Sequence, residues 1–178
     1  MTNMKPIEII ANVIGIAAVI TFVSSYQLKK RRAIVTCNVI SRALYVLQYL
    51  LLGAFEGAAL DVMGVLASVL AQNMDKGVIK KHRTAFIIGI NALIVAVGLL
   101  LYESPVSLLP IAGILLQTGA FWFRNERVIR RLSFIGSPFW FVYNFLSRAY
   151  GSSVGDLMTM VSIGTAIIRY DLPRKRKK

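Results

Sequence analysis

The sequence predicts an all-α membrane protein with seven transmembrane helices, and three observations lead to this prediction. Hydrophobic residues make up 56% of the chain and charged residues only 16%, which leaves too little polar surface to coat a soluble globule. The apolar residues form seven segments, each close to the roughly 20 residues that a helix needs to cross a bilayer. The basic residues cluster in every second connection between these segments, as is typical of cytoplasmic loops.

The seven predicted helices leave only short connections, so we expect residues 1–178 to form a single membrane domain. The first segment is about 20 uncharged residues long and no small-residue cleavage site follows it, so it is predicted to be a span rather than a signal peptide. The approximate bounds of the predicted helices are 7–28, 33–53, 57–74, 84–102, 106–123, 130–148 and 152–170.

The basic clusters predict the orientation of the chain. They lie at 29–32, 76–83, 124–131 and 169–178, whereas the intervening connections carry almost no Lys or Arg. The positive-inside rule therefore places the N-terminus outside and the basic tail, 171–178, in the cytoplasm. The net charge of +13 is explained by this topology, so we expect membrane lipids, and no nucleic acid, around the protein.

The chain repeats a pattern. Aligning Thr21 with Thr118 brings together two stretches that run from an apolar helix into basic residues, and a slip of two residues then aligns Asp61 with Asp156. These matches predict two three-helix units, 7–74 and 106–170, joined by a linker helix at 84–102. Because the linker crosses the membrane once, the two units have the same orientation. Chance similarity between two apolar stretches is the alternative.

Three short motifs carry a resemblance to known families: Tyr26-Gln27-Leu28-Lys29, Asp61-Val62-Met63-Gly64 and Asp156-Leu157-Met158-Thr159. They resemble the PQ-loop and SWEET group of small-solute transporters, in which the first helix of a unit ends in Pro-Gln before basic residues. The third helix in that group carries Asn-x-x-Gly at the substrate cavity. Here the Pro is absent and aspartates replace the asparagines. In size and overall pattern the chain resembles the YgjV family of bacterial inner-membrane proteins.

The charged residues within the predicted spans are the first candidates for a binding site. Arg42 lies near the bilayer midplane, where an unpaired charge costs at least ~2.5–3 kcal/mol, so it needs a partner. Asp61 and Asp156 each lie about one turn after the start of their helices, and the side chain of Arg42 can reach one of them. The other carboxylate is then either protonated or available to a cationic group of a solute. The alternative is that both aspartates simply cap helices.

Tyr45, Trp140 and Asn144 complete the predicted substrate-binding residues. Tyr45 aligns with Trp140, and Asn144 lies one helical turn after Trp140, so an aromatic ring and an amide share one face. Tyr26 and Trp122, at the basic ends of their helices, are interpreted as membrane-interface anchors. The remaining amides of the spans are interpreted as contacts between helices more often than as ligand groups.

These patterns favour a small-solute transporter that works by alternating access between the two three-helix units. The sequence has no catalytic triad, no phosphate-binding glycine loop and no metal-ligand spacing, so we expect neither an enzyme nor a cofactor. A non-transporting receptor or scaffold is the alternative, and a dry, leucine-packed centre would favour it. The identity of the solute, and whether the protein is a monomer or a homo-oligomer, stay open.

Overall fold

The computed structural model describes residues 6–53, 55–102, 104–146 and 150–172, and within these ranges the chain forms eight α-helices and no strand. A short 3₁₀ turn, Pro105–Ser107, precedes α6, and a π-helical turn, Ile167–Asp171, ends α8. The helices are α1 (Pro6–Ser25), α2 (Arg31–Leu52), α3 (Phe55–Gln72), α4 (Gly77–Lys81), α5 (Arg83–Leu100), α6 (Leu108–Ala120), α7 (Glu126–Leu146) and α8 (Tyr150–Ala166).

The seven long helices start within about four residues of their predicted positions, but two details differ. The segment after α3 contains the short helix α4, which the basic residues around it concealed. Helix α7 begins at Glu126 rather than at residue 130, so Arg127, as well as Arg130 and Arg131, belongs to the helix. Charged residues lower the apparent hydropathy of a segment, which is why the predicted boundary fell too late.

Six helices form a closed sequence of contacts, and α5 lies outside it. Helix α2 packs between α1 and α3, and α7 packs between α6 and α8. The two triplets meet where α1 contacts α8 and where α3 contacts α6, while α5 packs against α3 and α6. The six contacts that do not involve α5 form the same pattern when α1, α2 and α3 are exchanged for α6, α7 and α8.

Polar side chains lie inside the bundle and apolar side chains cover its outside, the reverse of a soluble protein. The fully or almost fully buried residues include Asn38, Arg42, Gln117 and Arg130, whereas Leu100 is 84% exposed. By length and composition, three of the described helices can cross a membrane, namely α1, α2 and α5, and 57–72 and 105–120 are shorter apolar helices. An apolar exterior of this kind is stable in lipid, where buried polar groups pair with one another.

The helix ends that carry the basic clusters meet at one end of the bundle, here called the basic end. A dense apolar core closes this end and includes Tyr26, Met74, Phe121, Trp122 and Ile129, none of which is more than 3% exposed. The interpretation of Tyr26 and Trp122 as interface anchors was therefore wrong. Both rings face the inside of the bundle, because helix packing rather than depth decides which side of a helix meets lipid.

Candidate functional site

A cavity of about 790 Å³ lies at the centre of the bundle, in the range typical of small-molecule sites. It is lined by residues of α1, α2, α3, α6, α7 and α8, the six helices of the closed sequence, and by none from α5. Exposed lining residues such as Asn12 and Val154 mark where it reaches the surface. The structure brings all six predicted site residues to its wall: Arg42, Tyr45, Asp61, Trp140, Asn144 and Asp156.

Arg42 forms a buried ion pair with Asp61, so its predicted pairing with an aspartate is confirmed. Its Nη1 donates to Asp61 Oδ1 at 2.7 Å, and its Nη2 donates to Gln117 Oε1 at 3.0 Å. The side chains of Arg42 and Asp61 are only 4% and 12% exposed. The guanidinium thus joins α2 to α3 within one triplet and to α6 of the other triplet.

Gly64 makes room for this ion pair. It follows Asp61 by one helical turn and so lies on the same face of α3. A Cβ at Gly64 would come within 2.7 Å of Arg42 Nη1 and 2.9 Å of its Cδ, closer than such atoms pack. The spacing of the Asp61-x-x-Gly64 motif therefore has a physical reason, since the aspartate binds the guanidinium and the glycine lets it approach.

The second aspartate has a different environment. Asp156 Oδ2 accepts a hydrogen bond from Asn144 Nδ2 at 2.7 Å, and none of the Lys and Arg side chains that the structure describes forms an ion pair with it. The positions that align with Arg42 and Gly64 are Ser137 and Thr159, whose hydroxyls donate to carbonyls of their own helices. The two triplets therefore place two carboxylates at the same cavity. Asp61 is paired with a cation, and Asp156 has no cationic partner among the described residues.

The capping interpretation of the aspartates was wrong. Asp61 lies six residues after the start of α3 and Asp156 six residues after the start of α8, beyond the first turn where backbone N–H groups are free. Their side chains instead bind Arg42 and Asn144 on neighbouring helices.

Aromatic rings line the two middle helices of the triplets. Tyr45 and Tyr49 of α2 stack with centroids 6.2 Å apart, and Trp140 and Tyr143 of α7 meet edge to face at 6.4 Å. Tyr45, Tyr49 and Trp140 all line the cavity. Gly113 of α6 admits the indole, because a Cβ there would lie 2.7 Å from Trp140 Nε1.

Sequence reasoning missed several cavity residues. Gln117 and Gln48 are among the amides interpreted as contacts between helices, Thr159 was quoted only as the last residue of a motif, and Tyr49 and Gly155 were not considered. All five line the cavity. A signal for Tyr49 was present, because it lies one turn after Tyr45 on the same face of α2. The remainder depended on which face of each helix points inward, and the weak amphipathicity of these helices does not reveal it.

Arginines close the basic end with two reciprocal contacts. Arg31, at the start of α2, donates to the carbonyls of Phe121 and Phe123 at the end of α6, and to that of Ala71 in α3. The last carbonyls of a helix have no partner within it and carry partial negative charge, so a guanidinium satisfies them well.

The second contact mirrors the first. Arg130, in α7, donates to the carbonyls of Tyr26 and Leu28 at the end of α1, and its Nη1 donates to Asp171 at 2.7 Å. Each triplet thus reaches from its middle helix to the end of the other triplet's first helix. Asp171, which the sequence had assigned to the tail, is buried in the last turn of the helix, because its pairing with Arg130 draws it into the bundle.

Comparison with known proteins extends this description. A sequence model of the Imp-YgjV family, described as a bacterial inner membrane protein, matches residues 9–174. No curated protein matches the chain, and no solved structure does.

Proposed function

Since the chain belongs to this family of bacterial inner membrane proteins, we propose that it is a small-solute transporter that works by alternating access. The observation that carries the proposal is the central cavity of about 790 Å³, with buried Arg42 and Asp61 and half-buried Asp156 in its wall. A structural scaffold gains nothing from charged groups around an open volume, because they are costly in the membrane. A pathway for a polar or charged solute has a use for both the open volume and the charged groups.

We infer seven spans arranged as two parallel three-helix units, α1–α3 and α6–α8, with α5 as the linker. The contacts between helices support this inference, because they are unchanged when the two triplets are exchanged. The cavity lies between the triplets, as expected for a site shared by two repeats. With the basic end in the cytoplasm, as the positive-inside rule predicts, the N-terminus is outside and the C-terminus inside.

The transport cycle follows from the two ends of the bundle. The basic end is closed by the apolar core and by the contacts of Arg31 and Arg130, whereas the cavity reaches the surface beside α1 and α8. We infer that rocking one triplet against the other breaks the two arginine contacts and opens the basic end. Hydrogen bonds to carbonyls are suitable for such a gate, since water can replace them when it opens.

Uptake by proteoliposomes tests the proposal. Vesicles containing the protein are incubated with a mixed cell metabolite extract, and their contents are analysed by mass spectrometry against empty vesicles. Gly155→Phe serves as the blocked variant: a Cβ there meets only Val19, at 3.6 Å or more, so the substitution fits the helix and its ring extends into the cavity. Gly89→Phe on α5 is the control, since nothing lies within 4 Å of a Cβ at that position.

The expected result is that one class of solute accumulates with the native protein and with Gly89→Phe but not with Gly155→Phe. Accumulation of no solute by the native protein would favour the receptor or scaffold function. Equal accumulation with all three proteins would mean that the solutes cross by another route, and it would contradict a role for the cavity.

A further inference from the structure

The charges at the cavity wall do not cancel. Of the described residues that line it, Arg42 is the one cation, while Asp61 and Asp156 are the two carboxylates. The charge of Arg42 is already paired with Asp61 through Nη1, and its Nη2 binds Gln117, while its buried Nε has no partner among the described residues. An anionic solute would therefore find no unpaired cation in the described part of the wall, and it would face a second carboxylate.

Asp156 is suitably placed to bind a cation. Only its Oδ2 is engaged by a described side chain, the amide of Asn144, which fixes the orientation of the carboxylate and leaves Oδ1 as an acceptor. Asp156 is half-buried and faces the cavity, where a charge is screened less than in water. A carboxylate held in this way is a strong partner for an ammonium group.

Aromatic side chains line the same cavity. Tyr45 and Tyr49 come from α2, Trp140 comes from α7, and Phe22 of α1 adds a fourth ring to the cavity wall. Ring faces attract cations through their quadrupole, and combinations of rings with a carboxylate are typical of sites for ammonium ligands. The amides of Asn12 and Gln48, also in the wall, are available to polar substituents of a solute.

We propose that the cavity binds an organic cation with a single ammonium group, with the charge placed between Asp156 and the rings of Tyr45, Tyr49 and Trp140. This assignment rests on the proposed function and names its substrate class. The net charge of the lining, one cation against two carboxylates, makes a monovalent cation the solute that leaves the occupied cavity neutral. Neutrality matters here because an uncompensated charge within the bilayer is costly.

Three probes of nearly equal shape test the charge preference: choline, its neutral isostere 3,3-dimethylbutan-1-ol, and the anion 3,3-dimethylbutanoate. Binding is measured by calorimetry on the purified full chain in phosphatidylglycerol nanodiscs, with empty nanodiscs subtracted. Choline is expected to bind at least about tenfold more tightly than the alcohol, since the attraction of its quaternary charge to the Asp156 carboxylate and to the rings supplies that factor without a hydrogen bond, and the anion is expected not to bind. Equal affinity for choline and the alcohol, preference for the anion, or no choline binding would overturn the proposal.

Substitutions test the residues. Asp156→Asn keeps the side-chain volume but removes the Coulomb attraction to the ammonium charge, so it is expected to weaken choline binding roughly 10- to 100-fold. Asp75→Asn removes an exposed carboxylate at the basic end and is expected to leave choline binding unchanged. Tyr45→Leu is expected to weaken binding several-fold, whereas Tyr45→Phe retains the ring and most of the affinity. If Asp156→Asn does not fold, the comparison of Tyr45→Leu with Tyr45→Phe and the comparison of the three probes still test the ammonium site. Unchanged affinity in both Asp156→Asn and Tyr45→Leu would contradict the site.

The ammonium group can belong to a free solute or to a lipid head group, and the nanodisc composition separates the two. Replacing part of the phosphatidylglycerol by phosphatidylcholine lowers the apparent choline affinity if the head group enters the site and leaves it unchanged otherwise; both results support an ammonium site. Choline binding without uptake of any solute by proteoliposomes would retain this site and reject transport. Uptake of anionic or neutral solutes without choline binding would retain transport and reject the ammonium site.

Discussion

Arg130 and Asp171 form an ion pair at the basic end, with 2.7 Å between Nη1 and Oδ1 and with only 3% and 1% of their side chains exposed. Arg130 also donates to carbonyls at the end of α1, and its guanidinium lies 5.1 Å from the ring centroid of Tyr170. One arginine therefore joins the last turn of α8, the end of α1 and helix α7. This contact has a mirror in Arg31, and both arginines join the two triplets at this end.

Arg130→Met should destabilise the protein by about 3–5 kcal/mol, because it leaves the Asp171 carboxylate buried without a cation. Arg131→Met, at the neighbouring exposed position, should change the stability by no more than about 0.5 kcal/mol. Thermal unfolding in detergent measures both. The double variant Arg130→Met/Asp171→Asn should recover part of the loss, and a double variant as unstable as the single one would show that the pair is not what stabilises this end.

The two arginine contacts predict reciprocal local opening. Arg31→Met should increase hydrogen exchange at the end of α6, around residues 119–123, while Arg130→Met should increase it at the end of α1, around residues 25–28, because each loses the donor to the carbonyls there. Arg32→Met, which removes an exposed arginine beside Arg31, is the control. Increased exchange confined to each arginine's own helix would contradict the contact between triplets.

Asp61→Asn should be more damaging to folding than Asp156→Asn. The first substitution leaves Arg42 as a buried cation with only Gln117 as partner, a loss of about 3–5 kcal/mol. The second removes a carboxylate whose described partner is a neutral amide, so no cation is left unpaired. Expression level and thermal unfolding are the measurements. Equal loss in the two variants would mean that an unrecognised cation binds Asp156.

Reporter fusions test the inferred topology. A reporter after Lys178 should be active on the cytoplasmic side and a reporter at the N-terminus on the external side, because the basic clusters lie in alternate connections. The same fusions in a variant with the 29–32 cluster changed to glutamine show whether those residues direct the orientation. Both reporters on one side would exclude an odd number of spans.

The exposed pair of Asp75 and Arg124 predicts a weak pH dependence. The hydrogen bond that Arg124 donates, at 2.7 Å, holds the pKa of the Asp75 carboxyl below its usual value. A carboxyl whose pKa is lower in the folded state stabilises the protein above its unfolded pKa of about 4, and this contribution is lost as the pH falls through the lowered folded value. The stability difference between the native protein and Asp75→Asn should therefore be small near neutral pH and vanish in acid. A difference that grows below pH ~4 would contradict the sign.

Much of the site was predicted from the sequence because charges in an apolar segment are few and conspicuous. Arg42, Asp61 and Asp156 stood out because placing a charge in the membrane is costly in free energy, so that each requires a partner or water. The rest was not predictable in this way. Gly64, Gln117 and Tyr49 carry no charge, so no desolvation cost distinguishes them, and only their position at the cavity wall or beside Arg42 does.

The sequence by itself determined the seven long helices, the basic end and the need to pair Arg42, because hydropathy, charge clusters and desolvation cost are properties of residues and their spacing. The tertiary structure decided that Arg42 binds Asp61 rather than Asp156, that Arg130 and Asp171 are buried, and that Tyr26 and Trp122 face inward. Each of these outcomes depends on which faces of two helices meet. Helices that are apolar on nearly every side carry little information about that choice, so close packing between them decides it.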